Sequence, residues 1–496
     1  MMTGAGASLA IAAQDLIERG EVASALALLV RHDGPPDPEI FAARATAHLA
    51  LGEPGEALQA AQTAMRLAPG HAAAAFNAGR ALMMLGEPEE AIAAFAGAEQ
   101  AFPDVAEIAA RLGESAYLAG ENEVARSAFE RALALAPGHP LAFHLLAELL
   151  HQDEDRSPLE RILADATRQG GAPAFRAISV LAQIGRHAEA LSALDRLRTS
   201  NAPSAAIEML AADLLREEGD LIAALARARA AASLAPDDAD AHAPLARLLL
   251  MTGAAPEAES ISRRILEADP CSQLWLAFLW TALAAQGARE ADALLDFDRD
   301  VLAVDIDPPV GFSEIEAFNA ALAAELEPLH AKAGAPLGQS VRAGSQTRRP
   351  LQTLASPAIS AFFTAAKQAV DDFAGQLPMN PDHPFHQRRD AARDISGAWS
   401  VLLGPGGRHA AHVHPRGWIS SAYYVALPPP GGDGPDAGSL TLGQPPYPIA
   451  GLEAPKRTIT PAPGRLALFP SYCWHGTVPF NTPGRRLTIA FDVAAR

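Results

Sequence analysis

The sequence predicts an α+β chain in at least two domains: an all-α solenoid of paired helices over residues 1–297, a helix-bearing linker over 298–338, and a β-rich domain with flanking helices over 339–496. Three observations predict it. Glycine and proline recur at one interval through the first 300 residues, apolar alternation of period two takes over in the last hundred, and 496 residues exceed what a single core usually holds.

In the first part Gly52, Gly86 and Gly120 stand 34 residues apart, as do Pro69, Pro103 and Pro137. After a slip, Gly185, Gly219, Gly253 and Gly287 resume the interval, with Pro236 and Pro270 beside them. This is the tetratricopeptide (TPR) period. Gly79 and Leu82 fall on the first helix of one unit, while Ala91, Phe95 and Ala98 form an i, i+4, i+7 stripe on the second; Gly113, Ala125, Phe129 and Ala132 repeat the pattern. Small residues at these places let paired helices approach closely, and the aromatic fills the groove. About eight repeats fit between Gly20 and Gly287, with a degenerate one near 151–155. Binding of a protein or peptide on the concave face is the expected use. His71, His139 and His242, set after helix-ending prolines or at hairpin starts, are expected as solvated loop residues.

Between the halves, residues 305–309 break the repeat, and helices are expected over 314–332 and 359–377, the second packing outside a β-core. Residues 428–435, rich in Pro and Gly, cannot form an interior strand and read as a mobile loop at the site mouth.

Composition excludes several classes. Two cysteines, Cys271 and Cys473, argue for a reducing compartment and against a disulfide framework. The first residues lack the basic region of a signal peptide, and the richest apolar run, Leu274 to Ala285, is too short to cross a bilayer. A soluble, cytoplasmic protein without membrane contact is expected. The net charge is −19, yet from Ile395 onward eight Lys or Arg face four Asp or Glu, so the acidity belongs to the N-terminal part. That surface suits a basic polypeptide and not a nucleic acid. Nothing in the sequence fixes an oligomeric state.

The chemistry is expected near the C-terminus. His412 and His414 flank Val413, and on an extended segment two such side chains leave the same face toward one ion. An HxH pair alone is a weak signal; His475, after the apolar run Leu466 to Pro470, adds a third imidazole. Three facial ligands with open positions are the arrangement of non-haem Fe(II) oxygenases. In the strand Leu487 to Val493, Arg486 and Thr488 share a face, and a buried Arg beside a hydroxyl makes a receptor for a carboxylate. Of Tyr423 and Tyr424 only one can reach such a site. His409 reads as lying on the opposite face from His412, and Trp399, Trp418 and Trp474 as either walling the pocket or simply packing, with packing favoured. Arg342 and Gln346, in the polar stretch 339–347, are candidates to meet substrate, with a surface loop as the default.

The order His412-Val413-His414-Pro415, Ile419 to Val425, Pro463 to Pro470, His475 to Pro479 and Arg486-Leu487-Thr488 resembles the 2-oxoglutarate- and Fe(II)-dependent oxygenase superfamily, and more narrowly the oxygenases fused to tetratricopeptide repeats. The resemblance spans about a hundred residues. It implies a double-stranded β-helix of the jelly-roll or cupin-like kind, with Fe(II) held by His412 and His475, and 2-oxoglutarate anchored by Arg486 with Thr488 and helped by Tyr424. It also implies a dioxygenase, most simply a hydroxylase acting on a protein or peptide that the repeats present.

One departure matters: most of the superfamily has Asp or Glu where this chain has His414. Three readings stay open, with His414 as a third ligand favoured over a group behind the ligands, and over a carboxylate arriving from elsewhere, for which Asp433, Asp436 and Glu453 are the loop candidates. Two rival functions also stay open: a three-histidine dioxygenase that does not use 2-oxoglutarate, and a non-catalytic TPR scaffold with a degenerate β-core.

Overall fold

A computed structural model of the chain describes residues 4–200, 202–331, 333–429, 431 and 433–495. It divides into two compact units, 1–177 and 178–496.

The first unit consists of helices in antiparallel pairs, among them Pro38–Leu51 with Pro54–Leu67, Ala72–Leu85 with Pro88–Ala101, and Ala106–Ala119 with Asn122–Leu135. Glycine ends the first helix of each of these pairs, at Gly52, Gly86 and Gly120, with φ of 74°, 81° and 76°. Only glycine takes that left-handed conformation without steric cost, so the 34-residue interval is the spacing of helix stops. Proline then opens the second helix at Pro54 and Pro88, where a missing N–H costs nothing. Within a pair, a Cβ on Gly79 would stand 2.8 Å from the buried ring of Phe95, and one on Gly113 would stand 2.5 Å from Phe129. The periodic glycine and phenylalanine are therefore two halves of one contact.

The slip in the repeat has a simple origin. Elsewhere four residues connect successive pairs (68–71, 102–105, 136–139), but only Gly170 separates Ser157–Gln169 from Gly171–Gln183. The histidines of the array differ from expectation. His71 and His139 accept the backbone N–H of Ala74 and Ala142 and so cap their helices, and His242 is buried with Nε2 against the Pro236 carbonyl. An imidazole nitrogen can serve as a cap acceptor as a short polar side chain does.

The second unit contains further helix pairs and a β-domain. Its helix Gln273–Ala285 is buried on nearly every side, which accounts for the apolar run in the sequence. Trp474 of the β-domain donates from Nε1 to Thr281 Oγ1 at 2.9 Å, and its ring lies 6.4 Å from Phe278. No helix among the described residues is long and apolar enough to cross a membrane.

The strands are β1 (Leu302–Asp305), β2 (Val341–Gln346), β3 (Arg393–His409), β4 (Ile419–Ala426), β5 (Leu440–Leu442), β6 (Arg457–Ile459), β7 (Arg465–Pro470), β8 (His475–Thr477) and β9 (Arg486–Ala495). Six form an antiparallel sheet in the order β1-β7-β4-β9-β3-β2, and three form a small sheet in the order β6-β5-β8. The stretch read as a linker thus supplies β1, paired with β7, before a helix over Ile315–Leu326. The expected helix reached Lys332, which lies outside the described residues. Helix Pro357–Gln376 covers one face of the large sheet: Phe362 stands 4.9 Å from Tyr423 and 6.0 Å from Phe491. Leu487, Ile489, Phe491 and Val493 are all buried, as the alternation predicts.

Candidate metal centre

The opposite face of the large sheet carries Arg486, Thr488, Ala490 and Asp492 of β9. Tyr424 stands opposite Thr488, Val401 opposite Thr488 on the other side, and Leu403 opposite Arg486. Toward this face comes a segment that leaves β3. His412 is not in a strand proper; it exchanges two backbone hydrogen bonds with His475, at 2.9 and 3.0 Å, and His414 N–H donates to the Ser471 carbonyl at 3.0 Å. The segment is extended all the same, so His412 and His414 remain on one side.

The three imidazoles converge. Their ring centroids are 4.2 Å (His412 to His475), 5.0 Å (His412 to His414) and 4.9 Å (His414 to His475) apart, and one nitrogen of each lies within 4.8 Å of the other two. All three have an acceptor behind Nδ1. His412 donates to the Ala410 carbonyl at 2.9 Å, His475 to the Cys473 carbonyl at 2.9 Å, and His414 to the Asp492 carboxylate at 2.6 and 2.7 Å. Acceptors behind Nδ1 fix the proton there and turn Nε2 toward the common centre, as in most histidine metal sites.

His412 and His414 bring Nε2 to 3.0 Å from each other. Two bare nitrogens at that distance repel unless a proton or a cation lies between them, and two cis positions of an octahedral ion with ~2.1 Å bonds are roughly 3.0 Å apart. Burial, and next the neighbouring His414, hold the His412 imidazole down at about 4; burial holds His475 well below its ordinary range. Both are neutral at pH 7, with lone pairs free for a metal. The donor set fits a divalent transition ion.

Arg486 is buried, its guanidinium carbon sits 5.0 Å from the Tyr424 ring centre, and its Nε and Nη1 have no partner; nor has the Tyr424 hydroxyl. A buried charged donor without an acceptor is costly, so these atoms fit an anion such as a carboxylate. Thr488 lies alongside, its hydroxyl 3.4 Å from the Val401 carbonyl. Arg486 lines a cavity of about 230 Å³ with Pro428, Pro429, Gly438, Phe480 and Thr482. Of the expected loop, Pro430 and Gly432 lie outside the described residues.

Residues 397–492 match a family model whose description is "Putative 2OG-Fe(II) oxygenase". Two tetratricopeptide-repeat models match 42–106, 85–140 and 215–279. No protein of curated function matches the chain. Among solved structures, MamA 41-end from Desulfovibrio magneticus RS-1 is 23% identical over 32% of this chain and 92% of its own, with a TM-score of 0.29. A tetratricopeptide repeat protein from Parabacteroides merdae ATCC 43184 is 15% identical over 56% and 98%, with a TM-score of 0.36. A thermophilic TPR protein in Thermus thermophilus is 20% identical over 50% and 100%, with a TM-score of 0.26. The chain thus matches tetratricopeptide-repeat models in its helical part and a model described as a "Putative 2OG-Fe(II) oxygenase" in its antiparallel β-domain.

Several residues differ from their expected places. His409 stacks on His412 with centroids 5.9 Å apart instead of facing away, because β3 ends at His409 and the chain bends at Ala411, which interrupts the alternation between them. Its Nδ1 lies 3.0 Å from Ser340 Oγ, which in turn is 3.4 Å from His412 Nε2, so Ser340 is the residue of the 339–347 stretch that meets the trio. Arg342 donates to the Gln339 and Val341 carbonyls in an edge strand. Of the two places open to the tryptophans, Trp418 and Trp474 take the packing one, while Trp399 stacks on His414 at 5.5 Å and walls the site. Asp433 is taken up by Asn481 and Thr482, and Glu453 by Gly451. The carboxylate that reaches the histidines is Asp492, the next member of the Arg486, Thr488, Ala490 stripe.

A second cluster, Asp300, His383 and His386, is fully internal. His383 uses both nitrogens, accepting from Phe385 and His386 N–H and donating to the Ala293 carbonyl, so it has no lone pair for a metal. His386 meets Asp300 at 2.7 Å, and the cluster ties residues 293–300 to 383–386.

Proposed function

We propose that residues 339–496 form a 2-oxoglutarate- and Fe(II)-dependent dioxygenase on a double-stranded β-helix, hydroxylating a protein or peptide presented by the concave face of the repeats. The observation that carries this is the pairing of two fits on one sheet face: three imidazoles that each turn Nε2 to a common point, and a buried Arg486 with two nitrogens unpartnered.

His412, His414 and His475 would hold the metal, and Arg486, Thr488 and Tyr424 the far carboxylate of the cosubstrate. When bound, Fe(II) with 2-oxoglutarate and O₂ supplies the oxidation of a substrate C–H bond, with succinate and CO₂ as coproducts. The chain's own residues bind, orient and exclude water. Phe469, 4.7 Å from the His475 ring centre, and Trp399 against His414 shield the imidazoles and fix their planes. The partner side of the proposal rests on the repeats, whose usual use is protein binding. The cytoplasmic placement rests on Cys271 and Cys473, both free.

Purified full-length protein, supplied with Fe(II), 2-oxoglutarate and O₂, is expected to produce succinate, and His475→Ala to lose both turnover and metal binding. Absence of succinate, together with unaltered metal binding by His475→Ala, overturns the reading. The all-histidine ligand set also favours a second reading, a three-histidine dioxygenase without 2-oxoglutarate. Arg486→Ala separates the two, leaving activity intact in the second reading only.

A further inference from the structure

We infer that Asp492 is the positioning carboxylate of this centre: acting through His414, it provides the negative charge that the HxH sequence omits from the ligand set. The inference rests on the metal-centre reading above and goes beyond it.

Three neutral imidazoles leave a divalent ion with its full double charge. Among the described residues, Asp492 is the one carboxylate in contact with any of the three imidazoles, and both of its oxygens face His414 Nδ1, at 2.6 and 2.7 Å. The side chains of both residues are mostly buried, at 13% and 15% exposure, so the interaction is weakly screened. A carboxylate behind a ligating histidine fixes the tautomer and raises the basicity of the ligating nitrogen.

The carboxylate is itself held in place. Ser420 Oγ donates to Asp492 Oδ1 at 2.7 Å and meets Ser471 Oγ at 2.9 Å, and the Ser471 carbonyl accepts the His414 backbone N–H. Trp399 covers the ring of His414. The other two ligands have only backbone carbonyls behind Nδ1. The anionic character that a direct carboxylate ligand would bring therefore enters through the ring of His414.

The test uses full-length protein titrated with Co(II), read by visible absorption and by the three paramagnetically shifted imidazole N–H proton resonances. Asp492→Asn keeps the shape and removes the charge. Its expected result is a Co(II) affinity ~10- to 100-fold lower, with one of the three N–H resonances shifted and the other two in place. Asp492→Glu, which keeps the charge, is expected to recover part of the affinity. Unchanged affinity and resonances in Asp492→Asn overturn the proposal, as does a loss in which all three resonances move together or the apo protein loses its near-ultraviolet circular dichroism. Should the parent protein bind no Co(II), the metal-centre reading itself fails and takes this inference with it, an outcome distinct from an Asp492→Asn that binds as the parent does.

Discussion

Arg486 concentrates the case for a dicarboxylate cosubstrate, because a buried guanidinium with free nitrogens is stable only with an anion at hand. Charge-assisted hydrogen bonds contribute about 1.5–3 kcal/mol each, so Arg486→Ala should weaken 2-oxoglutarate binding by ~10- to 100-fold or more, measured by calorimetry on metal-loaded protein. Arg486→Lys should restore little, since an ammonium lacks the planar fork. His330 gives a pH-dependent prediction away from the centre. It sits between Ser345 Oγ at 2.9 Å and Ser400 Oγ at 3.0 Å, and burial pushes its imidazole down to about 4. The unfolded chain, titrating near ~6.5, takes up the proton first. The contribution to stability is therefore whole above that pH and is lost as pH falls through about 4. His330→Gln should show a smaller drop in melting temperature between neutral and mildly acid pH than the parent. At this scale His412, His414, His475 and Arg486 are legible in the sequence, since spacing on extended chain needs no knowledge of the fold. Asp492 lies on the same alternation two residues past Ala490, but only the hydrogen bond to His414 distinguishes it from a surface acid. His409 escapes the strand rule because the strand ends at it and the chain bends at Ala411 before His412.

Among the elements, the helix pairs are readable because each repeat states its own stops and contacts. Gly113 against Phe129 gives the plainest test: a Cβ 2.5 Å from a fully buried ring forces the ring or the helix to move. Gly113→Ala should cost about 1–3 kcal/mol, seen as a lower melting temperature. A Phe129→Leu background should relieve part of that cost, because the smaller side chain frees the space; independent, additive losses would contradict the contact. Less of the β-domain is legible. The strand run 487–493 and the helix near 359–377 follow from periodicity. β1 and the three-residue strands β5, β6 and β8 are too short to carry a pattern and exist only through their partners.

For the whole molecule, sequence composition draws the boundary at 297, where the repeat ends, whereas the compact unit containing the centre begins at 178. The physical reason is the buried helix Gln273–Ala285, whose Thr281 and Phe278 meet Trp474 one residue before the ligand His475. A fragment of residues 178–496 should fold and bind metal, while one of 298–496 should aggregate or melt much lower, as judged by size-exclusion chromatography and circular dichroism. Trp474→Ala should cost about 3–5 kcal/mol and loosen the backbone that carries His475. The central claim is that three imidazoles share one ion, and X-ray absorption spectroscopy of the Fe(II)-loaded full-length protein tests it most directly. The expected result is a first shell at ~2.1 Å with the multiple-scattering signature of three imidazoles, falling to two in His414→Ala. A shell with two or fewer imidazoles in the parent, or one unchanged by His414→Ala, would contradict it.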